Sequence, residues 1–156
     1  MILKNFYKGL AVTATNIKCK PTFIKPDGSS YNSYSSYSNY IAHFIKLEYL
    51  SDLSYVKFGD GDVPATIDDY KLSGNTITGL TGSAVASYTP DDDGITFSAV
   101  WTLTNGNADS VTIKEVGLTT YTGGYFIDRT VLDTPVTIPA GGVGQITYTI
   151  RLNYPT

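Results

Sequence analysis

The chain is poor in the side chains on which most catalytic and metal sites depend. Its 156 residues contain one cysteine (Cys19), one histidine (His43), one methionine and one tryptophan. A single cysteine excludes an internal disulfide, and one Cys with one His falls short of the four ligands of a structural zinc site. A nucleophile needs a base held by a third group, and neither residue lies in a motif that supplies one. We therefore predict a protein that is not an enzyme and binds no cofactor or metal.

Charge and long apolar runs are also scarce. Charged residues make up 16% of the chain and the formal net charge is −3, which argues against a nucleic-acid-binding protein, because that class needs a basic surface. No apolar run approaches the length that spans a membrane. Lys4, Asn5 and Lys8 interrupt the apolar residues at the start, so a secretory signal is not expected. The single cysteine also fits folding in a reducing cytoplasm.

Tyrosine, threonine, serine and glycine are abundant instead, and the later part of the chain alternates as strands do. In residues 94–104, Ile95, Phe97, Ala99, Trp101 and Leu103 fall on one face; in 143–152, Ile146, Tyr148, Ile150 and Leu152 do so. Residues 41–50, IAHFIKLEYL, alternate in the same way. About eight such strands recur at the spacing of a sandwich. We predict an all-β antiparallel β-sandwich, Ig-like or jelly-roll, over residues 40–156, without a long helix.

The N-terminal residues 1–39 are predicted to form an arm or anchor outside the sandwich. The apolar residues near the start recur on one side of a short helix and are candidate assembly contacts: Ile2, Leu3, Phe6, Tyr7 and Leu10. A helix this short is marginal alone in water, so it must pack on something. We favour a neighbouring subunit, and the alternative is an open edge of its own sandwich.

A Ser/Tyr-rich tract, SSYNSYSSYSNY, lies at the end of this segment, at residues 29–40. Tyrosine supplies rigid amphipathic contact area and serine supplies adaptable hydrogen bonds, as in antibody paratopes. The candidate ligand or partner contacts are Tyr31, Tyr34, Tyr37 and Tyr40. The tract equally fits a low-complexity loop, and both interpretations remain open.

Carboxylates cluster twice. In FGDGDVPATIDDYKL, Asp60, Asp62, Asp68 and Asp69 follow a turn signal, and Thr66 with Asp69 matches a helix capping box. We interpret them as turn and cap residues, because the full ligand set of a calcium loop is missing. Asp91, Asp92 and Asp93 before Gly94 predict a solvated hairpin tip in the same way.

A glycosidase would need two carboxylates across its substrate. Glu48 and Glu115, the glutamates on predicted strands, fall on predicted polar faces. The sequence leaves such a carboxylate pair open without favouring it.

Three stretches resemble small β-sandwich proteins of bacteriophage virions. They are YVKFGDGDVPATIDDYKLSG, ITFSAVWTLTNGNADSVTIKEVGLTT and DRTVLDTPVTIPAGGVGQITYTIRL, which together cover much of residues 55–152. The matching positions are Gly59, Gly61, Pro64, Asp69, Tyr70 and Leu72; Thr104, Asn105, Val111 to Ile113 and Glu115 to Leu118; and Arg129 to Leu132 and Pro135 to Gly142.

The resemblance implies a non-enzymatic virion protein, assembled in the host cytoplasm in multiple copies. It would be a capsid decoration, a head fibre, or a tail or neck component. Its expected partners are other virion proteins and copies of itself, with neither nucleic acid nor membrane among them. The alternative is a carbohydrate-binding or adhesin-type surface β-sandwich that binds a host surface glycan through the Ser/Tyr-rich tract.

Overall fold

The computed structural model describes residues 22–32, 48–119 and 125–153, and within them the chain is built almost wholly of antiparallel strands. A hairpin of β1 (Thr22–Ile24) and β2 (Ser30–Asn32) comes first. Its turn is the predicted Pro26-Asp27-Gly28 signal: Gly28 adopts a φ of 82°, and the Asp27 carboxylate accepts a hydrogen bond from the Ser29 N–H.

A four-stranded sheet and a three-stranded sheet follow. The seven strands are β3 (Val56–Gly59), β4 (Thr76–Ile77), β5 (Leu80–Pro90), β6 (Gly94–Asn105), β7 (Val111–Thr119), β8 (Phe126–Ile138) and β9 (Val143–Asn153). The first sheet has the order β4-β3-β7-β8 and the second the order β5-β6-β9. The predicted all-β sandwich is confirmed, and the division into four and three strands matches the count of an Ig-like sandwich.

The core lies between the two sheets, and the alternation that predicted β6 and β9 supplies it. Trp101 and Leu103 are fully buried. The Trp101 ring stacks on Tyr148 with the ring centroids 4.9 Å apart and meets Phe58 edge-on at 5.9 Å. From the other sheet, Ile113 and other apolar side chains close the interior.

The β7–β8 pair is irregular, and this irregularity decides which side chains face the core. Ile113 pairs with Val136, but Glu115 pairs with Val131, so the register shifts between them. Such a bulge reverses which side chains point inward. Ile113 is therefore in the core before the shift, and Val116 and Leu118 are in the core after it.

A short helix occupies the end of the strand that the alternation of IAHFIKLEYL predicts. Helix α1 (Glu48–Ser51) and a 3₁₀ turn (Leu53–Tyr55) lead into β3. The strand prediction is therefore wrong for residues 48–50, and residues 41–47 lie outside the described part. Tertiary contacts explain the difference, because Leu50 is buried and its carbonyl accepts a 2.7 Å hydrogen bond from Trp101 Nε1. Among the described residues, no helix is long and apolar enough to span a membrane.

Candidate functional site

Three charged side chains meet on the outer face of the four-stranded sheet, beneath the loop of residues 60–75 that joins β3 to β4. They are Arg129 of β8, Glu115 of β7 and Asp69 of the loop, and we call them the Arg129 cluster. Arg129 is 1% exposed and Glu115 is fully buried. After the bulge, Val116 and Leu118 face the core, so Glu115 must face outward. The loop covers it there.

Glu115 fastens the end of the loop. Its carboxylate accepts hydrogen bonds from the Gly74 N–H at 2.7 Å, the Ser73 N–H at 3.0 Å and the Ser73 hydroxyl at 3.1 Å. Burial alone would raise the pKa of Glu115. The backbone N–H groups of Ser73 and Gly74, together with Arg129, reverse this effect and hold that pKa below its usual value.

Arg129 joins two positions of the loop, Val63 and Asp69, to the sheet. Nε donates to Glu115 Oε2 at 2.7 Å, Nη1 donates to Asp69 Oδ2 at 2.5 Å, and Nη2 donates to the Val63 carbonyl at 2.6 Å. Burial would raise the pKa of Asp69 too, but bonds from Thr66 and the Arg129 guanidinium keep it lowered. One buried cation thus pairs with two carboxylates, and its planar fork fixes their relative positions.

Small residues let the loop approach this closely. A Cβ on Gly61 would lie 2.1 Å from Ser73 Oγ and 2.4 Å from Glu115 Oε1, and one on Gly117 would lie 2.2 Å from the Phe126 ring. Leu72 and Phe126 pack together under the loop as a second, smaller apolar cluster. The loop is therefore tightly packed over the charged side chains of the Arg129 cluster.

The cluster was missed by the sequence analysis. The sequence predicts a polar face for Glu115, and the structure places it on the face away from the core, but the 60–75 loop buries that face. The available signal was the resemblance: each of its three stretches contributes one member, namely Asp69, Glu115 and Arg129. The groups bonded to Glu115 come from the loop and from Arg129.

The aspartates of the loop hold protein donors. Asp60 accepts from the Asn75 N–H at 2.6 Å, and Asp62 pairs with Lys114 at 3.2 Å. Asp69 bonds back to the Thr66 N–H at 2.9 Å, and its own N–H donates to the Thr66 carbonyl. The turn interpretation is confirmed for Asp69, whereas Asp60 and Asp62 bond residues distant in the sequence. Thr66 and Asp69 close a β-turn, not the start of the helix that the capping-box match indicates.

The hairpin tip between β5 and β6 is built as the Asp-Asp-Asp-Gly signal predicts. The Asp91 carboxylate accepts the N–H groups of Asp93 and Gly94 and binds the Arg151 guanidinium through both oxygens. Hydrogen bonds from Arg151 and from the backbone hold the pKa of Asp91 well below its usual value. Within the described ranges, no group of three or more His, Cys, Asp or Glu residues is arranged to hold a metal ion.

A second buried pair lies inside the sandwich. The Tyr148 hydroxyl of β9 donates to the Asp128 carboxylate of β8, and the Thr130 hydroxyl donates to the same oxygen at 3.1 Å. Burial raises the pKa of Asp128. Burial and the neighbouring carboxylate raise the pKa of Tyr148 well above its usual value. The pair ties β8 to β9 across the core.

Most of the residues considered individually in the sequence lie outside the described ranges. This holds for Cys19, His43, the candidate assembly contacts (Ile2, Leu3, Phe6, Tyr7 and Leu10) and three of the four candidate tyrosines (Tyr34, Tyr37 and Tyr40). Tyr31 lies in β2, opposite Phe23 in the β1–β2 register. The assembly and ligand predictions for these residues therefore stay predictions.

The described geometry is that of a framework whose buried charges bond one another and the backbone. The sheet opposite the cluster presents an outer face of Thr, Ser and Val side chains. Comparison with models of protein families, with curated proteins and with solved structures finds no match for this chain.

Proposed function

We propose that the protein is a non-enzymatic structural subunit of a bacteriophage particle, present in multiple copies as a capsid decoration, a head fibre, or a tail or neck component. The observation that carries the proposal is the convergence of the three resembling stretches on the Arg129 cluster. Asp69, Glu115 and Arg129 come from separate stretches, and their shared role is to fasten a loop to a sheet. A loop fastened to a sheet in this way suits a rigid building block.

The surface of the three-stranded sheet supports an assembly role. Its outward-facing positions on β5, β6 and β9 are threonines, serines and valines, except for Gln145 and the one charged side chain, Arg151. The full set is Thr81, Ser83, Val85, Ser87, Thr89, Thr96, Ser98, Val100, Thr102, Thr104, Val143, Gln145, Thr147, Thr149 and Arg151. Depletion of charge is typical of the centre of protein interfaces. Closed symmetric assemblies repeat one such surface many times.

The test is to look for the protein in particles. Particles released from the producing culture are purified on a density gradient, and their proteins are quantified by mass spectrometry. We expect this chain to co-purify with capsid and tail proteins at a fixed copy number, and its gene to lie among portal, capsid or tail genes. Its absence from particles, with a neighbourhood of unrelated genes, would overturn the proposal.

A further inference from the structure

Strand β5 forms one edge of the three-stranded sheet and is unusually open to pairing. It spans eleven residues, Leu80–Pro90, and contains no charged side chain. In the described part of the chain, β5 pairs with β6 on one side only. Proteins normally protect such an edge with charges, bulges or a very short strand. Within the strand itself the one protective residue is Pro90, at the very end. Helix α1 and the 3₁₀ turn pack against β5 but do not pair with it.

The pattern of main-chain hydrogen bonds between β5 and β6 shows which main-chain groups of β5 point away from the sheet. At one end of the hairpin the Asp91 N–H donates to the Gly94 carbonyl, and at the other the Gly106 N–H donates to the Gly79 carbonyl. The register between these ends is continuous. Since bonded and non-bonded pairs alternate in an antiparallel ladder, the odd-numbered residues bond to β6. The even-numbered residues, from Leu80 to Pro90, direct their main-chain groups outward.

The sequence of this edge is nearly a palindrome. Reading outward from Val85 in both directions gives Ala84 and Ala86, then Ser83 and Ser87, then Gly82 and Tyr88, then Thr81 and Thr89. Two copies of β5 placed antiparallel about Val85 would therefore set like residues opposite like. A strand with this property is complementary to itself, which is what an isologous two-fold interface requires.

We propose that two copies of this chain pair edge to edge through β5, antiparallel and centred on Val85, so that their three-stranded sheets join into one six-stranded sheet. The outward-pointing N–H and C=O groups of the two strands then lie opposite one another, as hydrogen bonding between them requires. Ala84 of each copy opposes Ala86 of the other, and Gly82 opposes Tyr88, and each of these pairs exchanges two hydrogen bonds. Main-chain bonds of this kind supply the affinity in strand-addition complexes.

The side chains fit the same arrangement. Val85, which is 72% exposed, would contact its own copy on the outer face. Ser83 would oppose Ser87 and Thr81 would oppose Thr89, and both are favourable hydrogen-bonding cross-strand pairs. On the other face the Tyr88 ring, 62% exposed, would cover the glycine of the opposite strand. An aromatic side chain across from a glycine at a sheet edge is a recognised way to pin register.

The test uses full-length protein in a Cys19→Ser background with Val85→Cys. Residues facing each other in a non-bonded antiparallel pair have Cα atoms about 4.5 Å apart, which is within the range of a disulfide. The matched control is Val143→Cys, on the opposite edge strand of the same sheet and 64% exposed. We expect rapid oxidation of Val85→Cys to a covalent dimer and at least tenfold less from the control.

Sedimentation velocity on the unmodified chain provides an independent measurement. We expect twice the 16.9 kDa mass of one chain, and at least tenfold weaker dimerisation for Val85→Lys, because two like charges would meet on the axis. Val143→Lys should leave the dimer unchanged. A monomer, with Val85→Cys no more reactive than the control, would overturn the proposal and mean that another segment or another protein covers the edge. A dimer that both lysine variants weaken equally would overturn it too.

The β5 pairing rests on the proposed assembly role only because it specifies the contact between copies in that assembly. The two proposals can fail separately. A chain absent from particles that still dimerises through Val85 would remove the virion proposal and leave the pairing intact. A chain found in particles whose Val85→Cys variant forms no disulfide would remove the pairing alone.

Discussion

Replacing Arg129 by methionine should cost more stability than any comparable change on the surface. Methionine keeps much of the length of the side chain but none of its three hydrogen bonds to Glu115, Asp69 and Val63. Removing one partner of a buried ion pair leaves an uncompensated charge and costs about 3–5 kcal/mol. For a domain of this size that corresponds to a fall in Tm of roughly 6–20 °C. Urea unfolding and calorimetry at pH 7 measure both quantities.

The pH dependence separates lost charge pairing from lost packing. The pKa values of Glu115 and Asp69 are lowered in the folded chain, so their stabilising contribution is present above their ordinary values of 4.5 and 3.8 and is lost as the pH falls through the folded ones. Without Arg129 its share of this lowering is lost, while the hydrogen bonds from the loop to the two carboxylates remain. The difference between wild type and Arg129→Met should therefore be largest near neutral pH and shrink below about pH 4.5.

The matched control is Arg151→Met, which breaks the exposed pair with Asp91. Exposed ion pairs are screened by solvent and contribute little, so this variant should unfold close to wild type. The reasoning would be refuted by a loss for Arg129→Met that is no larger than for Arg151→Met, or that is the same at pH 7 and pH 4.

Three further predictions concern the core, the loops and the arm. Tyr148→Phe should destabilise the fold by about 1–3 kcal/mol, because Asp128 loses a buried donor. Burial raises the pKa of Asp128, so the loss should be larger above that pKa, where the carboxylate is ionised, than in acid; a loss that does not vary with pH would contradict this. EDTA should leave the Tm within error, whereas a drop of many degrees would show that a cation binds the aspartate-rich turns. Deleting residues 1–12 should leave a folded, soluble sandwich that no longer joins its assembly; unfolding or aggregation would place that segment in the core of its own domain.

The strands and their inward faces could be predicted from sequence because their signal is local. In β6 the alternation that ends in Trp101 and Leu103 is visible without any knowledge of the partner strand, and both residues are fully buried. The turn at Asp91–Gly94 is likewise a local hydrogen-bonding pattern. Local patterns failed where distant contacts outweighed them, as at Leu50, whose carbonyl is bound by Trp101.

The Arg129 cluster depends on information that no short window contains. Alternation assigns Glu115 to the face away from the core, which is correct once the bulge is allowed for. It cannot show that residues 60–75 return to cover that face. The bond between Arg129 and Asp69 joins positions 60 residues apart, so neither side chain is marked by its neighbours in the sequence as a buried ion.

Asp128 and Arg129 are consecutive in β8, yet their side chains are buried on opposite sides of the sheet. A slide of β8 by one position along β7 would exchange the two sides. The guanidinium would then enter the apolar interior near Tyr148, and the Asp128 carboxylate would face Glu115. Either displacement buries an uncompensated charge. The two adjacent side chains of opposite charge should therefore disfavour a misaligned β8, because that register would carry the free-energy cost of burying unpaired charges.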